Sequence, residues 1–214
     1  MPARIDPADL PRFPGLLFEK DLWKQGLKRI GGVDEAGRGA WAGPVAAAVV
    51  VLPSDAKVEK KLSGVRDSKQ MTAKQREIWA DNIKKVCVSW GVGYASPGEI
   101  DEIGIVPATR LAAWRALEQL PFEPGHLLLD YLFLPDVEIP QTSLIKGDRR
   151  SLSVAAASVL AKTSRDALMR EMDSEYPGYG FRQHKGYGTK KHQAAIRKLG
   201  LCVEHRKSWN FMAE

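Results

Sequence analysis

The run from Val45 to Leu52 contains no polar side chain, and this limits the fold more than any other feature of the chain. Rich in valine and alanine, and only eight residues long, it reads as a buried strand, since a membrane span needs roughly 20 apolar residues. Other segments gather around it. A strand is predicted at about 29–35, ahead of a glycine-rich turn from Gly37 to Gly43. Further strands are predicted at 87–94, at 126–132 (HLLLDYL) and at 142–146, the last closed by Gly147-Asp148. Thr72 with Gln75 three residues on is a capping box, opening a charged helix to about Val86 whose outer face is solvated. Short helices are predicted near 97–102 and from Pro107, which suits a first helical turn. A long helix spans 151–175 and includes Ala155, Ala156 and Ala157, small residues that let it lie close on a sheet. Pro177-Gly178 breaks it, and a final helix starts behind Thr189 and stops at Gly200. Strands come early and helices late, so the expected fold is a mixed α/β sheet with a helical C-terminal part.

Composition narrows the class. A chain of 214 residues, 44% hydrophobic and 27% charged, can bury a core without staples. Cys87 and Cys202 are its two cysteines, which excludes a disulfide framework and fits a reducing cytosol. No cysteine–histidine spacing suits structural zinc. Residues 2–16, with Pro2, Pro7, Pro11 and Pro14, read as an irregular leader, and no secretion signal is visible. The net charge of +6 suits a polyanionic partner.

The chemistry is suggested by acids on apolar strands. Asp34 and Glu35 sit inside Ile30-Gly-Gly-Val-Asp-Glu-Ala, Asp130 ends Leu127-Leu-Leu-Asp, and Asp148 follows Leu144-Ile-Lys-Gly. A buried carboxylate costs several kcal/mol unless a cation compensates it. Two explanations stay open: convergent acids around Mg²⁺ or Mn²⁺, or acids that are each capped by a separate arginine or lysine or simply end a strand in solvent.

The glycine stretch does not match a dinucleotide fingerprint, and no phosphate-binding P-loop occurs. On its glycines alone it reads as a hairpin connection, where Arg38 can meet a phosphate or neutralise its acidic neighbours. His184, His192 and His205 read as non-catalytic, with His192 solvated on the last helix. Asp166 reads as the i,i+4 partner of Lys162. Trp23, Trp41, Trp114 and Trp209 read as core.

Six words in order, GVDEAGRGAWAGPVAAAVVV (32–51), DSK (67–69), KGD (146–148), SVAAASVLAKTSRD (153–166), YGFRQHKGYGT (179–189) and HRKSW (205–209), closely resemble bacterial ribonuclease HII, the type 2 ribonuclease H. That resemblance covers about residues 29–210. It implies a ribonuclease H-like mixed sheet flanked by helices: an irregular or helical leader at 1–28, a catalytic domain at 29–175, and a helical extension at 176–214 that contributes to substrate binding.

The resemblance also implies a metal-dependent endoribonuclease of the cytoplasm. Such an enzyme cuts the RNA strand of RNA–DNA hybrids and nicks 5′ of single ribonucleotides in duplex DNA, leaving 3′-hydroxyl and 5′-phosphate ends. Asp34, Glu35, Asp130 and Asp148 would hold two Mg²⁺ or Mn²⁺ ions, with Asp34 the central bridging ligand. Gly37, Arg38 and Gly39 would contact the ribonucleotide, Tyr187 would stack near its junction with DNA, and Lys69 would meet a phosphate. The chain demands no more than a monomer. Two departures stand out. Tyr131 replaces the glycine the family usually places after its third acid and would alter how Asp130 is presented. Gly104 stands where asparagine is frequent, implying a lost local hydrogen bond. The alternatives are a metal-dependent nuclease without ribonucleotide selection, and a nucleic-acid-binding module with a dead metal site.

Overall fold

A computed structural model describes residues 10–209; Pro2 and Pro7 of the leader lie outside this range. Five strands form one sheet: β1 (Ile30–Ala36), β2 (Val45–Val51), β3 (Ser89–Ala95), β4 (His126–Asp130) and β5 (Gln141–Leu144), in the order β3-β2-β1-β4-β5. β1 pairs antiparallel with β2 and parallel with β4; β2–β3 is antiparallel and β4–β5 parallel. The sheet is therefore mixed, as expected.

Among the described residues eight helices surround it: α1 (Leu17–Lys24), α2 (Lys57–Lys61), α3 (Ala73–Val86), α4 (Pro97–Ile103), α5 (Ile105–Leu117), α6 (Leu152–Glu175), α7 (Phe181–His184) and α8 (Lys190–Leu199). Every residue of β2 is buried because both faces are covered. Val45, Ala47, Val49 and Val51 share a core with Ala108, Ala112 and Ala116 of α5. Ala48 and Val50 share another with Ala155, Ala156 and Val159 of α6. α6 lies so close that a Cβ on Gly32 of β1 would collide with the Ser153 backbone. Several caps follow the sequence: Thr72 and Gln75 close a reciprocal box on α3, Ser151 and Thr189 cap α6 and α8, and Gly200 ends α8 at φ 76°.

Other details differ from expectation. The short helix α2 is not among the expected elements, whereas α1 lies within the 1–28 leader, for which irregular or helical structure is expected. β5 stops at Leu144 rather than 146, because Lys146 turns left-handed (φ 57°) into a 3₁₀ turn over Gly147–Arg149. Trp114 is 45% exposed, so it is not core. Gly104 is the joint between α4 and α5 at φ 84°, ψ 161°, a backbone conformation that is essentially restricted to glycine.

Candidate active site

The parallel pairing of β1 and β4 sets the site. Val33 faces Leu129 in the register, and both point into the α5 core. The next residues, Asp34 and Asp130, therefore emerge together on the α6 side. Asp34 accepts from the Glu35 amide at 2.7 Å and lies beside the Ser158 hydroxyl of α6, which acts to lower its pKa and itself meets Ser68 at 2.9 Å. Asp130 accepts from the Gly147 amide at 2.7 Å, and this bond draws in the 3₁₀ turn that carries Asp148. Asp34, Asp130 and Asp148 each offer an oxygen, all within 4.8 Å of one another. Sequence reasoning named no role for Asp67 and Ser68; the DSK word was their only signal. Asp67 lies beside Asp148 and raises its pKa.

Glu35 stands apart from this triad. Arg38 donates to it at 3.2 Å, and Asp130 and Lys69 are close enough for their charges to act on it. Of the two roles open to Arg38, this is the neutralising one. Separate cationic partners for the triad are not found among the described residues. Lys69 alone comes within ion-pair range, at 3.9 Å from Asp148, on a side chain 77% exposed, where such contacts contribute little.

The carboxyls repel ionisation. Burial raises Asp34 well above the usual carboxylate range, and the charges of Glu35 and Asp130 raise it further. Burial, then Asp130 and Asp67, push Asp148 up to about 7. Asp130 is raised by burial against the opposing Gly147 amide, and Glu35 by burial against Arg38. Burial would lower Lys69, but the surrounding acids outweigh it and raise its pKa. Glu35 Oε2 and Asp148 Oδ1 are buried without a hydrogen-bond partner. Clustered hard oxygens, raised pKa values and orphaned acceptors together fit a divalent cation.

The turn after β1 is the predicted hairpin connection. The amides of Trp41 and Ala42 donate to the Gly186 carbonyl at 2.8 and 3.2 Å, which brings Tyr187 beside the turn. Lys162 and Arg165 lie 5.3 and 5.5 Å from the Tyr187 ring centre. Lys162 is held by Asp166 at 2.6 Å, the expected pair, and Asp166 also accepts from Arg76 at 3.2 Å.

Tyr131 is left-handed (φ 48°), the conformation glycine would take there most easily, and its side chain is 62% exposed. Asp130 still reaches the other acids, so the bulky neighbour does not divert it. His192 corrects the sequence reading. It is fully buried, 3.1 Å from His205 Nε2 and stacked on His184 at 4.3 Å, because α8 turns His192, Ala195 and Ile196 inward. Burial, then His184, pull its pKa down to about 4.

The sequence profile named Ribonuclease HII matches residues 31–212. The chain belongs to the ribonuclease HII family. Its acidic triad accords with the hydrolases of that family. It is 51% identical to Ribonuclease HII of Synechococcus sp. (strain JA-3-3Ab) over 92% of this chain and 88% of that one. Among solved structures it resembles the ribonuclease H2 from Pyrococcus horikoshii OT3, with a TM-score of 0.70 at 27% identity over 86% and 94% of the two chains. Bst-RNase HIII in complex with Mn²⁺ shares the fold, with a TM-score of 0.63 at 20% identity over 81% and 63%. The ribonuclease H-like architecture expected from the sequence is therefore present. No helix among the described residues is long and apolar enough to cross a membrane.

Proposed function

We propose that this chain is a divalent-metal-dependent endoribonuclease acting on RNA–DNA hybrids and on single ribonucleotides embedded in duplex DNA. It nicks on the 5′ side of the ribonucleotide and leaves 3′-hydroxyl and 5′-phosphate ends. The observation that carries this reading is the convergence of Asp34, Asp130 and Asp148 within 4.8 Å, next to orphaned oxygens of Asp148 and Glu35. Family membership supports the hybrid substrate.

Asp34, Asp130, Asp148 and Glu35 are the residues that would hold Mg²⁺ or Mn²⁺. A pair of such ions held by these residues would supply Lewis-acid activation of a water and charge stabilisation at the departing 3′-oxygen. The chain's own groups do the rest. The acids give up protons that burial and mutual repulsion otherwise retain, Asp148 with a pKa of about 7. Lys69, charged and mostly exposed beside them, meets a substrate phosphate. The exposed turn at Gly39, with Gly37 and Arg38, reads the 2′-hydroxyl, the only group that distinguishes a ribonucleotide from its deoxy counterpart. Tyr187 stacks on the sugar–base surface at the junction. Residues 29–175 form the catalytic domain and 176–214 the substrate-binding extension behind it, following 1–28, in a monomer of the cytoplasm.

The test is a labelled duplex containing one ribonucleotide, incubated with Mg²⁺ or Mn²⁺. One nick 5′ of the ribonucleotide is expected. Cutting of the all-DNA duplex would instead indicate an unselective nuclease, and binding without cutting a dead metal site.

A further inference from the structure

Two arginines beneath the turn have no acidic partner. Arg165 and Arg206 are fully buried, and among the described residues neither forms an ion pair. Buried guanidinium groups ordinarily pair with carboxylates. These two donate to main-chain carbonyls instead. Arg206 donates to Gly37 at 2.7 Å, Arg38 at 2.8 Å and Gly43 at 3.1 Å. Arg165, from α6, donates to Ala42 at 3.0 Å, Pro44 at 2.8 Å and Lys185 at 2.9 Å. Burial, then Arg165, lower Arg206 to about 9, so it stays charged at neutral pH.

The geometry has a directional consequence. A trans peptide is planar, so its N–H points opposite to its C=O. With the Gly37 and Arg38 carbonyls held inward by Arg206, the amides of Arg38 and Gly39 are turned away from it, toward the exposed tip. Arg165 shares its donors between this turn and Lys185, two residues before Tyr187. The same side chain would collide with a Cβ on Gly37, which sits at φ 91°.

We propose that Arg165 and Arg206 are positioning residues: together they aim the Arg38 and Gly39 amides at the substrate and fix the turn to the Tyr187 segment as one unit. The proposal rests on the reading that this turn meets the ribonucleotide. It assigns the two arginines to substrate selection rather than to binding of duplex in general.

The variants Arg206→Lys and Arg165→Lys retain the charge and lose the planar fork. Two quantities are measured: kcat/KM on duplex DNA with one ribonucleotide, and the inhibition constant of an all-DNA duplex of the same sequence. The expected result is a loss of roughly 10- to 100-fold in kcat/KM, as for other small misplacements of orienting groups, with the inhibition constant unchanged. If a lysine variant melts below the assay temperature, the corresponding glutamine variant, which keeps two donors without a charge, replaces it. Unchanged kcat/KM overturns the proposal. So does an equal weakening of both quantities, which marks a structural role only. Gly39→Val separates this from the underlying reading, because a Cβ there meets only open space. If Gly39→Val leaves kcat/KM intact, the turn does not meet the ribonucleotide. If Gly39→Val lowers it and the arginine variants do not, only the positioning role fails.

Discussion

Asp34 and Asp130 stand on adjacent parallel strands, one step beyond the Val33–Leu129 pair, and both turn toward α6. Two ionised carboxylates so placed repel each other, and burial adds to the cost.

Asp34→Asn therefore has opposite effects on cleavage and stability. Single-turnover cleavage should fall by roughly a thousandfold or more, several kcal/mol of lost charge stabilisation, while hybrid affinity is retained. The metal-free variant should melt higher than the wild type, since a buried charge is gone. Preserved turnover would remove Asp34 from the metal site.

Asp148 gives a pH dependence. Its folded-state pKa of about 7 lies above its ordinary value of 3.8, so between these pH values the folded state binds more protons than the unfolded state. Stability then falls as pH rises through this window, by roughly 1.4 kcal/mol for each pH step of one. Without metal, Asp148→Asn should exceed the wild type in melting temperature at pH 7.5, and the gap should narrow as pH falls toward 5. A pH-independent gap would contradict the raised pKa.

Much of the fold was legible because its signals are local. The apolar run of β2, the box at Thr72 and Gln75 and the stop at Gly200 each act within a few residues, and each holds. The acids stood out because they follow apolar segments, but the residues alone left a shared cation and private or solvent-exposed acids both open. The sequence could not show the packing that brings Asp34, Asp130 and Asp148 within 4.8 Å of one another. What escaped depends on tertiary placement. His192 looks solvated by its neighbours in sequence, but its ring packs against His184 and His205 from other segments. Arg38 left two partners open that only the path of the turn could separate, and the inward-facing arginines carry no sequence signal for carbonyl partners.

Tyr131 supplies a stability test. A bulky residue in the left-handed region costs about 1–2 kcal/mol, and the exposed ring offsets little of it. Tyr131→Gly should be stabilising by about 1 kcal/mol, raising the melting temperature by roughly 2–4 °C for a chain of this size. Cleavage should persist, because Asp130 is held by the Gly147 amide. A large loss of cleavage would show that the tyrosine ring itself serves the reaction.

Tyr187 tests the junction role. Tyr187→Ala should reduce cutting at a single ribonucleotide more than cutting of a long hybrid, by roughly tenfold if one stacking contact of 1–3 kcal/mol is lost. Kinetics on the two substrates side by side decide it, and equal losses would argue against a junction contact.

The central claim is that Asp34, Asp130 and Asp148 are ligands of one metal centre. Anomalous diffraction from a Mn²⁺-soaked crystal measures this directly. A manganese peak within coordination distance of carboxylate oxygens from all three residues is the predicted result. A peak elsewhere, or none at a Mn²⁺ concentration that supports cleavage, would contradict it.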